Sequence, residues 1–271
     1  MGRVIFFALL FWCVSEFAAD PSLAIRAFEN GDYVTAFRTW KAAAEKGDAD
    51  AQFNLGVMYS RGLGVSTDPD EAFRWFRAAA DQNQPQAQFM VGSMREKGFG
   101  VAPDYAVAMQ YYQAAADRGD PDAANAIAEL FEEGFGVNKD LGRAVYWYKL
   151  AAEQGLKEAQ FRLAVLIERG QGTAKDDVEA AKWYSAAADQ GLAPAQARLG
   201  VMYSEGKGVT LDNAKAYFWL TLATKQNLRP AERQRNQIAT KLTADEVGKA
   251  EVAASNWKPK AAVVRNAKTL H

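Results

Sequence analysis

Cysteine and histidine are nearly absent from this chain of 271 residues, which contains one of each, Cys13 and His271. Cys13 lies in an apolar stretch near the N-terminus, and His271 is the last residue. The chain between them therefore has no disulfide, no thiolate nucleophile, and no sulfur or imidazole ligand for a metal ion. Catalytic triads with histidine and cysteine-based catalysis are excluded there for the same reason.

An excess of one charge is missing as well. The 32 lysine and arginine residues are balanced by 33 acidic residues, and the formal net charge is -1. Non-specific binding to nucleic acid needs a basic surface that replaces the counterions of the phosphates. We therefore expect no nucleic-acid partner. The hydrophobic share of 49% is enough for one substantial core or two ordinary domains.

Long hydrophobic runs are also scarce. The run VIFFALLFWCV at residues 4–14 has roughly half the length that a membrane-spanning helix needs. A basic residue precedes the run and small residues follow it, which is typical of a secretory signal peptide. We expect residues 1–19 to be a cleaved signal and the mature protein to be periplasmic or secreted. Glu16 and Phe17 suit a cleavage site poorly, so an uncleaved signal that anchors the protein in a membrane is the alternative.

Internal repetition organises the rest of the sequence. Segments that start at residues 53, 89, 125, 161 and 197 align without gaps at a spacing of 36 residues. Each segment contains a Gly-x-Gly corner, then an aspartate, an aromatic pair or near-pair, and an alanine at fixed offsets. In the first segment these are RGLGV, Asp68, Trp75-Phe76 and Ala79. A period in this range indicates stacked supersecondary units rather than one closed globule.

The pattern within each segment predicts two helices. In the first segment one helix covers residues near 49–61, and Asp68 caps a second helix at its N-terminus. The glycine corner separates the two helices, because glycine enters left-handed backbone conformations at little cost. Each helix has one apolar face. These faces are formed by Ala51, Leu55, Gly56 and Tyr59 on the first helix, and by Ala72, Trp75, Phe76 and Ala79 on the second.

One column of the alignment contains only glycine and asparagine, the residues that best tolerate a left-handed helix cap. We predict a left-handed helix end at each of its positions, which are Gly47, Asn83, Gly119, Gly155, Gly191 and Asn227. The glycine corner itself is interpreted as a turn in the chain. A phosphate-binding loop would be expected once, beside a strand, whereas this corner recurs five times without any strand pattern.

The 36-residue unit resembles the Sel1-like repeat, a relative of the tetratricopeptide repeat. The resemblance is carried by AQFNLGVMYSRGLGVSTDPDEAFRWFRAAADQ at 51–82 and AQARLGVMYSEGKGVTLDNAKAYFWLTLATKQ at 195–226. It implies an all-α fold, a right-handed α-α superhelix (solenoid) of helix-turn-helix repeats, with five units over residues 53–228. It further implies an exported scaffold or adaptor for protein–protein interaction, without a cofactor, in envelope signalling, envelope assembly or host contact.

The segments on either side depart from the repeat and are interpreted as caps, which repeat arrays need to cover their ends. Residues 20–52 keep the second-helix pattern, but the tight turn ENGDY replaces the glycine corner, as in a tetratricopeptide unit. Residues 229–257 are predicted to form C-terminal capping helices, the last of which opens with a capping box of Thr243 and Glu246. Residues 258–271 carry four basic residues and no acid, and we predict a basic disordered tail.

The candidate binding surface is the face of each first helix opposite its buried stripe. In tetratricopeptide-like solenoids this face lines the concave groove that holds a partner peptide, and the resemblance implies the same here. We call the following residues the groove face: Phe53, Val57 and Ser60; Phe89, Ser93 and Glu96; Asn125, Glu129 and Glu132; Phe161, Val165 and Glu168; and Ala197, Val201 and Ser204.

The groove face would combine a ladder of phenylalanines with an acidic row formed by Glu96, Glu129, Glu132 and Glu168. Exposed aromatic rings anchor interfaces, and a row of carboxylates favours a basic or amide-rich partner. Alternatively, the rings pack against the neighbouring repeat and the glutamates are an ordinary solvated surface. No catalytic, cofactor-binding or metal-binding residue is assigned. The second functional hypothesis is a carboxylate-dependent hydrolase that acts in the groove.

Overall fold

The structure is a computed structural model that describes residues 21–261. The predicted signal peptide, residues 1–19, and residues 262–271 of the predicted tail lie outside the described residues. Between residues 21 and 261, no helix has the length and apolar character needed to cross a membrane.

Residues 21–261 form α-helices and contain no β-strand, which confirms the predicted all-α fold. The helices are α1 (Pro21–Glu29), α2 (Tyr33–Ala44), α3 (Ala49–Arg61), α4 (Pro69–Ala80), α5 (Pro85–Lys97), α6 (Tyr105–Ala116), α7 (Pro121–Glu133), α8 (Leu141–Glu153), α9 (Lys157–Arg169), α10 (Asp177–Asp189), α11 (Ala193–Glu205), α12 (Asn213–Lys225), α13 (Arg229–Ala239) and α14 (Ala244–Asn256).

The chain divides into two compact units, the first ending at Ala79 and the second beginning at Ala80. In the first unit α2 packs against both α1 and α3, around a core that contains Trp40, Leu55 and Met58. In the second unit α5 pairs with α6, α7 with α8, α9 with α10, and α11 with α12. Each of these pairs also packs against the next one along the chain.

Small residues allow the two helices of a repeat to approach closely. A Cβ atom added at Gly56 would lie 2.7 Å from the ring of Phe76, and one added at Gly92 would lie 2.7 Å from the ring of Tyr112. At Gly200 the equivalent distance, to Leu220, is 2.8 Å. The first helix therefore presents a notch into which the large apolar side chain of the second helix packs.

The predicted helix ends are confirmed by the backbone. All six positions of the glycine–asparagine column have a positive φ, and Asn83 and Asn227 are the non-glycine residues between 21 and 261 that do. Each second helix of the five repeats begins after an aspartate whose carboxylate accepts backbone N–H groups of the first turn. These aspartates are Asp68, Asp104, Asp140, Asp176 and Asp212.

In the corners that contain Gly136, Gly172 and Gly208, the second glycine lies against the start of the second helix in the preceding repeat. A Cβ atom at Gly172 would overlap the carbonyl group of Leu141, and one at Gly208 would overlap that of Asp177. At these corners the backbones of two neighbouring repeats are in contact. The corner is therefore a structural turn.

The C-terminal helices close the second unit. Ala231 and Ile238 of α13 and Ala250 of α14 pack against buried residues of α12, including Tyr217 and Leu220. The predicted capping box is confirmed, since Thr243 accepts the backbone N–H of Glu246 while the Glu246 carboxylate accepts that of Thr243.

The start of the predicted tail contacts the C-terminal end of α10. Residues 258–261 have no regular secondary structure. The backbone N–H of Lys260 donates to the carbonyl oxygen of Asp189 at 2.8 Å, and its Nζ contacts the Asp189 carboxylate at 2.8 Å. A carboxylate distant in sequence thus binds the first residues of the tail, and disorder over residues 258–271 stays a prediction.

Candidate functional site

The groove face lies on the first helices of the repeats, with three positions on α3 in the first unit and the others on α5, α7, α9 and α11 in the second. Glu129 is exposed, and every other residue of the groove face is half-buried. The face is therefore accessible in part along each of these helices. The contacts of its side chains within the protein determine which groups remain free to bind a partner.

The phenylalanines of the groove face pack against the core of their own repeat. Each ring contacts the aromatic side chain that fills the notch between the two helices, and each is half-buried. The ring centroids are separated by 5.5 Å for Phe53 and Phe76, 5.6 Å for Phe89 and Tyr112, and 5.8 Å for Phe161 and Tyr184. The rings are thus held in place by their own repeat and keep part of their surface in contact with solvent.

A buried tyrosine hydroxyl fixes three of the four carboxylates in the acidic row. The tyrosines are Tyr112, Tyr148 and Tyr184, and each residue is at most 1% exposed. Their hydroxyls donate to Glu96 at 2.5 Å, to Glu132 at 2.6 Å and to Glu168 at 2.9 Å, respectively. Burial, and then the hydrogen bond to an ionised carboxylate, raise the pKa of each tyrosine above its usual value. The tyrosines therefore remain hydrogen-bond donors at neutral pH.

The first and last repeats lack both members of this pair. Ser60 and Ser204 replace the glutamate, and their hydroxyls donate to the carbonyl oxygens of Val57 at 2.9 Å and Val201 at 2.8 Å. The tyrosine is replaced in these repeats by Phe76 and Leu220, which have no hydroxyl. Glutamate and tyrosine, 16 residues apart, are thus present or absent together. The sequence therefore contains this signal, although neither column by itself indicates a pair, and the sequence analysis did not predict it.

Glu168 belongs to a larger cluster that the sequence analysis did not identify. Arg198, from the next repeat, donates Nε to Oε2 at 2.9 Å and Nη2 to Oε1, and Lys207 Nζ lies 3.0 Å from Oε1. The Glu168 side chain is 10% exposed. Burial by itself would raise the pKa of Glu168, but the hydrogen bonds from Arg198, Lys207 and Tyr184 outweigh it and hold the pKa at about 2.

The acidic row therefore differs from the prediction at its Glu168 end, where the carboxylate is paired with two cations. Within the row, Glu129 on α7 is exposed and accepts a hydrogen bond from Asn125 Nδ2 at 3.0 Å. Its pKa is raised, because neighbouring protein atoms partly desolvate the carboxyl group. Glu96, Glu129 and Glu132 thus form the acidic part of the groove face on α5 and α7.

A pocket of about 550 Å³ lies on α9 and α11 of the second unit. It brings together five groove-face residues, namely Phe161, Val165, Glu168, Ala197 and Val201. It also contains residues that the sequence analysis missed, among them Arg169, Arg198, Lys207, Leu228 and Gln234. Leu228 immediately precedes α13 and Gln234 lies in the middle of that helix, so the C-terminal cap forms one wall of this pocket.

Comparison with protein families supports the repeat assignment. The family model described as Sel1 repeat matches residues 49–84, 85–120, 121–156, 157–192 and 193–228. These windows keep the 36-residue period and start four residues before the segments defined above. No curated protein matched the chain at a significant level.

The chain is similar to several solved structures. A Sel1 repeat protein from Oxalobacter formigenes is 31% identical over 88% of this chain and 100% of its own length, with a TM-score of 0.76. A protective antigen of uropathogenic Escherichia coli strains with an SLR fold is 28% identical over 88% of this chain and 67% of its own, with a TM-score of 0.42. An immunity protein from Pseudomonas aeruginosa is 20% identical over 76% of this chain and 82% of its own length, with a TM-score of 0.50.

Proposed function

Because the chain belongs to the Sel1 repeat family, we propose that it is an exported scaffold or adaptor that holds a partner protein or peptide on its groove face. Sel1 repeat proteins are in general scaffolds that bind protein partners, and the fold is typically not enzymatic. The proposal adds the location of the binding surface, export from the cytoplasm, and a task in envelope signalling, envelope assembly or host contact.

The observation that supports the binding surface is the pocket on α9 and α11, which groove-face residues of two successive repeats form together. Phe161 is packed on the buried Tyr184, whose hydroxyl is bonded to Glu168. The pocket is therefore preformed, and a preformed surface loses little side-chain entropy when a partner binds.

The acidic part of the groove face supports a partner with basic or amide-rich segments. Glu96 and Glu132 are oriented by buried tyrosine hydroxyls, and Glu129 is exposed between them in sequence. Fixed carboxylates in a groove steer a basic partner during encounter and disfavour acidic ones.

Export is proposed from the signal-like pattern of residues 1–19. N-terminal sequencing of the protein recovered from the envelope or the medium should give a chain that begins near residue 20. Recovery of Met1 or Gly2 at the N-terminus would contradict cleavage and favour the membrane-anchored form.

Replacing Phe89 and Phe161 together by alanine should weaken capture of the partner from an envelope fraction by at least about tenfold, because aromatic anchors dominate interface energetics. Helical content should be kept, since alanine already occupies the equivalent position 197. We expect a lower melting midpoint, because each ring pair contributes about 0.5–1.5 kcal/mol. Capture is measured by quantitative mass spectrometry, and helicity by circular dichroism.

The matched control replaces Phe99 and Phe135 by alanine. These rings lie in the glycine corners, are 43% and 49% exposed, and do not belong to the groove face. Partner capture should be unchanged in this control. Equal retention of the partner by the groove-face variant and the control would contradict the proposed binding surface.

The alternative of a carboxylate-dependent hydrolase needs two carboxyl groups, one of which donates a proton. Glu168 is the one acidic side chain among the residues that line the pocket on α9 and α11. A pKa of about 2 keeps it ionised near neutral pH, so it does not supply that proton. The pocket on α9 and α11 therefore does not favour this alternative.

A further inference from the structure

The pocket on α9 and α11 carries more cationic than anionic side chains. Its charged lining residues are Arg169, Arg198, Lys207 and Glu168. The acidic residues Asp177, 3.7 Å from Lys207, and Glu205, which interacts electrostatically with Arg198, moderate this charge from outside the lining. The net charge of the pocket therefore does not identify the kind of group that it binds. The hydrogen-bonding groups that remain available do.

Glu168 has little capacity left for a partner. An ionised carboxylate has two oxygens with about four acceptor sites. Glu168 receives the hydroxyl of Tyr184, two N–H groups of Arg198 and the ammonium group of Lys207. A basic side chain of a partner would have to displace one of these donors, so Glu168 is not a free acidic contact in the groove.

Donors, in contrast, remain available. The side chain of Arg169 is exposed and forms no hydrogen bond or ion pair with any residue between 21 and 261, although its charge acts on the nearby Tyr184. Arg198 engages Glu168 through Nε and Nη2, which leaves its Nη1 group. Gln234 adds a side-chain amide from α13, a helix whose sequence RPAERQRNQIA has three arginines and one glutamate. The polar groups of the pocket thus fit an acceptor-rich group.

The same pocket has an apolar part, formed by Phe161, Val165, Val201 and Leu228. A ligand that fills it must therefore place an apolar group beside its acceptor. An acidic side chain with an aliphatic or aromatic neighbour in an extended segment meets both requirements, because carboxylates accept charge-assisted bonds from guanidinium groups.

We propose that the pocket on α9 and α11 binds an aspartate or glutamate side chain of the partner polypeptide, with an adjacent apolar residue packed on Phe161 and Val165. The inference rests on the proposed function and specifies it. At this end of the groove face it predicts an acidic group on the partner, whereas the acidic row predicted a basic one. Because Glu96, Glu129 and Glu132 lie on α5 and α7, a partner segment with acidic and basic ends would bind in one direction.

The experiment selects random 12-residue peptides, displayed on phage, on the immobilised chain that begins at residue 20. Enriched peptides are synthesised with an amidated C-terminus, and their affinities are measured by fluorescence anisotropy at low salt. We expect enriched sequences to share an acidic residue next to an apolar one. Changing that acid to its amide should weaken binding about tenfold, the effect of removing one charge-assisted contact.

Arg169→Glu should weaken the acidic peptide about tenfold or more and should restore binding to a peptide in which lysine replaces the acid. The matched control is Arg61→Glu, since Arg61 is exposed at the same position of the first repeat, and it should change neither affinity. Circular dichroism checks that both variants are folded.

Some selected peptides could bind the Phe161→Ala variant more weakly than the wild type and yet show no preference for an acidic residue, or no response to Arg169→Glu. This result would overturn the inference and leave the proposed function intact. Binding that requires a free C-terminal carboxylate would overturn the assignment to a side chain. If no selected peptide depends on Phe89 or Phe161, the proposed function fails and the inference fails with it.

Discussion

Replacing Gly208 by alanine should destabilise the protein by about 2–4 kcal/mol. Gly208 has a φ of 69°, and an added Cβ atom would overlap the carbonyl group of Asp177 at the start of α10. Alanine would therefore strain the left-handed backbone and push α10 away from the corner that follows α11. The change is measured as the shift of the urea unfolding midpoint, followed by circular dichroism of the full chain.

Gly206→Ala is the matched control in the same corner. Gly206 has nearly the same φ, 67°, but an added Cβ atom would lie 3.2 Å from the Cβ atom of Leu211, a tight contact without the overlap found at Gly208. This variant should lose about 1–2 kcal/mol, most of it from the left-handed conformation. If the two variants lost equal stability, the close approach between neighbouring repeats would not be a determinant of this fold.

Replacing Glu168 by serine should lower the free energy of unfolding by about 3 kcal/mol, because Tyr184, Arg198 and Lys207 all lose their shared acceptor. The pKa of Glu168 in the folded protein is about 2, below the ordinary value of 4.5. Its stabilising contribution is therefore fully present above about pH 4.5 and is lost as the pH falls towards 2. The stability difference between wild type and variant should shrink over that range in urea titrations.

Glu132→Ser provides the comparison, since Glu132 accepts from Tyr148 at 2.6 Å in the same geometry. In the repeat that follows Glu132, Gln171 stands where Lys207 stands after Glu168, and Arg162 stands where Arg198 stands but is not hydrogen-bonded to Glu132. We expect a loss of about 1–2 kcal/mol, most of which Tyr148→Phe in the same chain should restore, because no hydroxyl is then left without a partner. Serine with phenylalanine is the combination already present at Ser60 and Phe76. Equal losses for Glu168→Ser and Glu132→Ser would show that Arg198 and Lys207 contribute nothing.

The helices, their ends and the order of the repeats could be predicted from local residue patterns. A left-handed cap or an N-cap depends on the residue at that position and its immediate neighbours, so Asn83, Gly155 and Asp104 could be assigned without knowledge of the fold. The sequence also contains the tyrosine–glutamate pairs, as two columns 16 residues apart that change together.

The electrostatic character of the groove face, in contrast, could not be predicted from the sequence, because it depends on contacts between distant residues. The charge that Glu168 presents depends on Arg198 and Lys207, which are 30 and 39 residues away, and the pocket wall depends on α13. Likewise, Lys260 contacts Asp189, 71 residues earlier. Backbone conformation is governed by local steric contacts, whereas the state of a carboxylate depends on every donor and cation that packing brings to it, and that packing joins distant parts of the chain.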